Sequence, residues 1–112
     1  MANHPKFDLK TSSNDKYYFN LTAKNGQVIL TSEMYNSKDG AENGIRSVQE
    51  NSQEAGQFEK LESDNGQHYF VLKAKNHQEI GRSEMYTSTS ARDNGIDSIQ
   101  NNGAVAEVED NT

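Results

Sequence analysis

The chain has no cysteine, which removes disulfides, zinc thiolate sites and a thiol nucleophile together. Large apolar residues are scarce. Leu, Ile, Val and Phe supply 19 of the 112 residues, below the one-fifth that accompanies most foldable compositions. Disorder would also require high net charge per residue and no pattern, whereas the net charge is only −6 and the periodicity is strong. The sequence therefore predicts a fold with a thin core, in which Tyr and Met add to the burial; each fully buried large side chain contributes about 1.5 to 3 kcal/mol. No stretch approaches the roughly 20 apolar residues of a membrane span, and MANHPKFDLK lacks the basic and apolar regions of a leader peptide. A soluble, cytoplasmic protein without membrane contact is expected. Eleven basic residues, scattered among 17 acidic ones, form no footprint for a phosphate backbone, so nucleic acid is not an expected partner. Phosphate-cradling glycine patterns and calcium-loop carboxylate order are also missing. His4, His68 and His77 show no metal or triad spacing, and neither a metal nor a cofactor is expected.

What the chain does have is a repeat. Shifted by 51 positions, 22 of the 46 residues from Phe7 to Ser52 match their counterparts. One domain over residues 1–112 is predicted, made of a first repeat at 7–56 and a second at 57–110. Each unit needs the other to cover its apolar face, most simply about a pseudo-twofold axis. The expected state is a monomer shaped like a dimer.

Within each repeat, KYYFNLTAKNGQVILTS and QHYFVLKAKNHQEIGRS read as two strands joined by a tight turn at Asn25-Gly26 or Asn76-His77. His77 must then take the positive-φ position that Gly26 takes freely. KFDLK and QFEKL add a strand ahead of each hairpin, and AVAEV from Ala104 supplies a last one. Alternation places Tyr17, Phe19 and Leu21, with His68, Phe70 and Leu72, toward the core. Tyr18 and Tyr69 fall on the other face, where Val28, Leu30 and Val71 would complete a modest apolar patch. Helices on a single sheet face are expected, because only one face is apolar in both repeats.

Ser37 and Ser88 are the predicted N-caps of helices running to about Asn51 and Asn102. Ala41, Gly44, Ile45 and Val48 share one helical face. Asn43, Gly44, Ser47 and Asn51 recur unchanged as Asn94, Gly95, Ser98 and Asn102. A glycine inside a helix costs about 1 kcal/mol against alanine, so its recurrence predicts a close backbone approach. This ridge is expected to be a packing seam with hydrogen bonds, where a helix meets another helix or a strand.

The longest run identical in both repeats is Ser-Glu-Met-Tyr, between the third strand and the helix. Ser32, Glu33 and Tyr35, with Ser83, Glu84 and Tyr86, bring a hydroxyl, a carboxylate and a phenol together, and are the candidate binding residues beside Tyr18 and Tyr69. The structural expectation for the same run is that Met34 and Tyr35 plug the core edge while Glu33 folds back on the helix amides. A carboxylate pair of the glycosidase kind would require the twofold to bring Glu33 and Glu84 within roughly 5 to 10 Å. No catalytic residue is assigned.

The runs YYFNLTAKNGQVI, TSEMY and NGIRSV, in order and then echoed, make the chain resemble the YegP-like family of small bacterial proteins from Phe7 to Val108. The resemblance implies an α+β fold of two β-β-β-α-β units sharing one antiparallel sheet, both helices on one face and the C-terminal strands exchanged. Those strands would lie near Ala55 to Phe58 and near Ala104 to Val108. It brings no activity with it. The leading functional expectation is a non-enzymatic binding or interaction module, using the open sheet face or the grooves beside the helices, with a protein or small-molecule ligand. The alternative is a small enzyme or small-molecule sensor with duplicated Ser-Glu-Met-Tyr sites.

Overall fold

The computed structural model describes residues 5–112. Strands β1 (Lys6–Thr11), β2 (Tyr17–Thr22) and β3 (Val28–Ser32) precede helix α1 (Lys38–Asn51). After a short 3-10 turn at Ala55–Gln57, β4 (Phe58–Glu62), β5 (His68–Lys73), β6 (Glu79–Arg82), α2 (Thr89–Asn102) and β7 (Glu107–Asp110) repeat the pattern. One seven-stranded sheet runs in the order β4-β5-β6-β3-β2-β1-β7. Its centre is the β3·β6 pair, where Thr31 lies opposite its own counterpart Arg82, so the pseudo-twofold axis passes through that pair. Both helices close over a single core that contains Phe7, Phe19, Leu21, Phe70 and Leu72.

Two expectations about the sheet are corrected. First, it is mixed: β7 joins β1 in parallel, Phe7 opposite Val108, because the chain leaving α2 returns along β1 in the same direction. Second, the segment from Ala55 to Phe58 forms no separate strand. Only residues 52–57 connect α1 to β4, too few to run along a far sheet edge and return. The strand exchange is thus one-way. The second repeat gives β7 to the first and receives nothing back. At the β1 edge, Lys6 binds Glu109 at 2.6 Å and Lys38 binds Asp110, while the Asn111 N–H donates to the Leu9 carbonyl at 2.8 Å.

A bulge decides which residues reach the core. Leu21 pairs with Leu30 and Thr22 with Val28, leaving Ile29 as an extra residue. An inserted residue breaks strict alternation. Ile29 and Leu30 both become buried, and the expected open-face patch loses Leu30. The same bulge at Ile80 sets Gly81 opposite Leu72.

The hairpin turns carry one positive-φ residue each, Gly26 at 84° and His77 at 70°. Asn25 is not among the left-handed residues; its Oδ1 accepts from the Gln27 N–H at 3.0 Å. His77 sits where a Cβ is strained, so His77→Gly is expected to stabilise the protein by about 1 kcal/mol. Thermal unfolding should show a rise of about 3 to 5 °C.

Ser37 and Ser88 cap the helices as expected, each hydroxyl accepting at 3.0 Å from the amide of Gly40 or Ala91. A Cβ on Gly44 would lie 2.8 Å from Cζ of Tyr35 and 3.0 Å from Phe19, and one on Gly95 2.9 Å from Cζ of Tyr86. The close approach predicted at the helix glycines is therefore made to a tyrosine of the same repeat.

Candidate functional site

Each Ser-Glu-Met-Tyr run begins where a strand leaves the sheet, and that departure strands a main-chain amide on the neighbouring strand. Ser32 resolves it: its buried hydroxyl accepts from the Phe19 N–H at 2.9 Å and donates to the Glu33 carbonyl at 2.9 Å. Ser83 does the same between Phe70 and Glu84, at 3.0 and 2.8 Å. Both hydroxyls are structural. Ser32→Ala is expected to leave the Phe19 amide buried and unpaired, costing about 1 to 3 kcal/mol in denaturant unfolding. Tyr35 exchanges two main-chain hydrogen bonds with Tyr17, both 2.8 Å. Its ring stacks on Phe19 at 6.4 Å between centroids and covers Gly44. Tyr86 stacks on Phe70 in the same way.

The remaining two residues of the run differ from expectation. Met34 and Met85 are exposed, at 54% and 46%, so only the tyrosine plugs the core edge. Glu33 does not fold back on the helix. Its main-chain amide bonds Ile80 across the sheet centre at 3.0 Å, which brings its side chain beside Glu79 and Arg82 of the other repeat. Burial, then the Glu79 charge and a hydrogen bond with the Glu79 carboxyl, raise the Glu33 pKa above its ordinary value, and Arg82 opposes them. Arg82 is itself held by Glu79, Nε at 3.2 Å and Nη2 at 3.1 Å. The carboxylate partner of Glu33 is therefore Glu79 rather than Glu84.

Glu33 and Glu79, though not Arg82, line a cleft of about 530 Å3 between α1 and the β5–β6 hairpin. Glu33, Tyr35, Asn43, Ser47, Gln78 and Glu79 supply its polar wall, and Met34, Ala74 and Ile80 its apolar one. Burial, followed by the nearby Glu33 charge, raises the Tyr35 pKa, so the phenol stays protonated at neutral pH and offers a hydrogen bond. Tyr86 is raised likewise by burial and then by Glu84.

The Asn/Ser ridge is only partly what the repeat suggested. Asn51 turns its amide back on its own helix, to the Ser47 carbonyl at 2.8 Å and hydroxyl at 3.1 Å, and Asn102 repeats this with Ser98. The bonds close within each helix, not across a seam. Asn43 and Asn94 are exposed, and Asn43 accepts from Arg46. Ser47 and Asn51 also wall a groove against Ala74, Lys75 and Asn76 of the opposite hairpin. Ser98 and Asn102 face Ala23, Lys24 and Asn25 in the symmetric groove.

On the open sheet face, Tyr18 and Tyr69 are half-buried. The Arg82 guanidinium lies 5.9 Å from the Tyr69 ring centre, and Val71 is buried between Glu59 and Arg82 of the flanking strands. Charged side chains interrupt the patch, so no continuous apolar surface joins the two tyrosines. Among the described residues no cluster of His, Asp or Glu has the makings of a metal site, and no helix is long and apolar enough to cross a membrane. The site residue missed in the sequence is Glu79. Its only signal was its departure from the repeat, which has Val28 at that place.

Comparison with known proteins places the chain. Residues 12–59 and 63–110 each match a domain of unknown function, DUF1508. A UPF0339 protein of Mannheimia succiniciproducens is 52% identical over 106 residues, covering 95% of this chain and 94% of its own. YegP of Escherichia coli K12, also a UPF0339 protein, is 49% identical over 95% of this chain and 96% of its own. The solution structure of the Shewanella oneidensis UPF0339 protein superposes with a TM-score of 0.89 at 52% identity, over 94% of this chain and 89% of that one. That of Escherichia coli YegP, a protein of unknown function, gives 0.91 at 48% identity, over 100% and 95%. Two tandem DUF1508 repeats, near-complete coverage and a common fold mean that the chain belongs to the UPF0339 family of YegP-like proteins.

Proposed function

We propose that the protein is a non-enzymatic binding module whose ligand site is the cleft beside α1, and that its ligand is a small cation of the alkylammonium or guanidinium kind. The observation that carries this is the Glu33–Glu79 pair. Two carboxyl groups that share a single cation, the Arg82 bound by Glu79, keep one negative charge uncompensated, a cost to folding that a bound cation removes. Arg82 offsets only part of it, lowering Glu33 as the last and smallest influence. The protonated phenol of Tyr35 and the amides of Asn43 and Gln78 add neutral hydrogen-bonding groups, and Met34 and Ile80 suit an alkyl stem. Binding is favoured over catalysis because the groups suited to reaction are committed: the Ser32 hydroxyl donates to a carbonyl, and the phenol keeps its proton. Two equivalent sites are disfavoured, since Val28 in place of Glu79 leaves the symmetric position without the second carboxyl.

Titration with propylammonium and with methylguanidinium, followed by amide shifts, tests the site. Shifts should centre on Glu33, Tyr35 and Gln78, and Glu33→Gln or Glu79→Gln should weaken them about tenfold, whereas Glu84→Gln should not. Equal loss with Glu84→Gln would reject the cleft. The pair also predicts a pH dependence. The folded chain holds the Glu33 proton more tightly than the unfolded chain, so this contribution to stability is fully present below the ordinary value of 4.5. It disappears as pH rises through the raised value. Glu33→Gln should therefore melt about one or two degrees higher than the natural sequence at pH 7, with no such gain at pH 4.

A further inference from the structure

The two outer edges that the repeat makes equivalent are treated differently. The outer edge of β1 is covered by β7, whereas among the described residues no strand pairs with the outer edge of β4. Beside β4, a cleft of about 290 Å3 opens toward α2, lined by Ala55, Phe58, Lys60, Ile96, Asp97 and Gln100. At the β1 side, Ala106 lies in the core, 6% exposed, ahead of β7. Its counterpart, Ala55, is exposed. An edge strand with outward-facing amides and carbonyls beside a cleft whose apolar part is Ala55, Phe58 and Ile96 within a charged rim is the arrangement that accepts an added strand.

We propose that the outer edge of β4 and its cleft dock an extended segment of a partner protein, parallel to β4, with a small apolar residue in the cleft and basic residues after it. The molecule contains its own template for the geometry, β7 on β1, and the charges identify the occupant. Lys6 and Lys38 hold the acidic residues Glu109 and Asp110 of β7; their counterparts beside β4 are Gln57 and Thr89, and β4 carries Glu59 and Glu62. Glu62 and Asp97 are exposed, Glu59 is held by Lys73 at 2.8 Å, and Lys60 is engaged by Asp93 at 3.3 Å. A second copy's acidic β7 finds no lysine clasp there. Self-pairing of two β4 strands over their full length sets Lys60 against Lys60, which is unfavourable at close range. A basic segment from another protein meets neither obstacle.

The main-chain groups of Lys60 correspond to those of Leu9, whose carbonyl points outward to accept from Asn111. Lys60→Pro should therefore remove an outward-facing donor while sparing the β4·β5 ladder, since proline is tolerated on an edge strand.

The test uses the full chain and two synthetic peptides: Val-Ala-Glu-Val-Glu-Asp-Asn, copied from 105–111, and Val-Ala-Lys-Val-Lys-Lys-Asn, its charge-reversed form. The basic peptide should shift the amides of Ala55, Phe58–Glu62 and Ile96, with an affinity about tenfold above that of the acidic one at low salt. Lys60→Pro should weaken it about tenfold, and Glu62→Lys with Asp97→Lys should reverse the preference between peptides. The second variant keeps the test decisive if the proline variant fails to fold. Equal binding of both peptides, shifts centred on Glu33 instead of β4, an unchanged preference in the double-lysine variant, or a β4-mediated dimer in sedimentation would each overturn the proposal.

Discussion

Gly81→Ala is expected to cost about 3 kcal/mol or more and to lower the melting temperature by roughly 10 °C or more. Within the sheet the two repeats join at its centre through β3·β6, Thr31 opposite Arg82 and Ser32 opposite Gly81, and again at its edge through β1·β7. A Cβ at position 81 would lie 2.6 Å from the Thr31 carbonyl oxygen and 3.1 Å from the Ser32 Cα. What it strikes is main chain, which cannot rotate away as a side chain can. The strands must separate or shear, and the Glu33 amide then loses its bond to Ile80. The counterpart of Gly81 is Leu30, buried opposite Leu21, so the junction accommodates a full side chain on one side of the axis and none on the other. Denaturant unfolding measures the loss. A change below about 1 kcal/mol would mean that the helices and the β1·β7 pairing, and not the central strands, hold the halves together.

Gly44→Ala and Gly95→Ala come next, each expected to destabilise by about 2 to 3 kcal/mol although alanine is the better helix former by about 1 kcal/mol. The clash with Tyr35 or Tyr86 outweighs the propensity gain because the ring is fixed twice, by its stack on Phe19 or Phe70 and by the main-chain bridge to Tyr17 or His68. Position 95 should suffer slightly less, since Phe70 stands 3.3 Å from the added carbon where Phe19 stands at 3.0 Å. Combining Gly44→Ala with Tyr35→Ala should cost clearly less than the sum of the single changes, because the second removes what the first strikes. Strict additivity would show that the glycine is required for some other reason. The glycosidase-like alternative finds no support here, as Glu33 is paired with Glu79 at one end of β3·β6 and Glu84 leaves β6 toward the other.

Much of this architecture was legible in the residues. Caps at Ser37 and Ser88, helices ending at Asn51 and Asn102, the left-handed His77 and the inward Phe19 and Leu21 all depend on neighbours within a few positions, and local chemistry is enough to set them. The repeat itself showed that two halves share a core. The glycine in each helix announced a close approach, but not to what: its tyrosine lies nine residues away and reaches it only after the chain has left the sheet. Leu30 was misplaced because one extra residue at Ile29 reverses every later side chain in the strand, and a bulge leaves little trace in alternation. The candidate cleft was half visible. Glu33 stood out by repetition, while Glu79 is the residue that breaks the repeat, and its meeting with Glu33 depends on where the twofold axis falls.

What the sequence determined by itself, then, is the set of elements and their inward faces, since these follow from periods of 2 and 3.6 residues acting over short range. Tertiary structure alone decided how the near-identical halves become unequal: where Glu33 finds its partner, why β7 is given without return, and which edge is left uncovered. Those outcomes depend on contacts between residues about fifty positions apart at β3·β6 and about a hundred apart at β1·β7, and on a linker of six residues, and no local pattern records them.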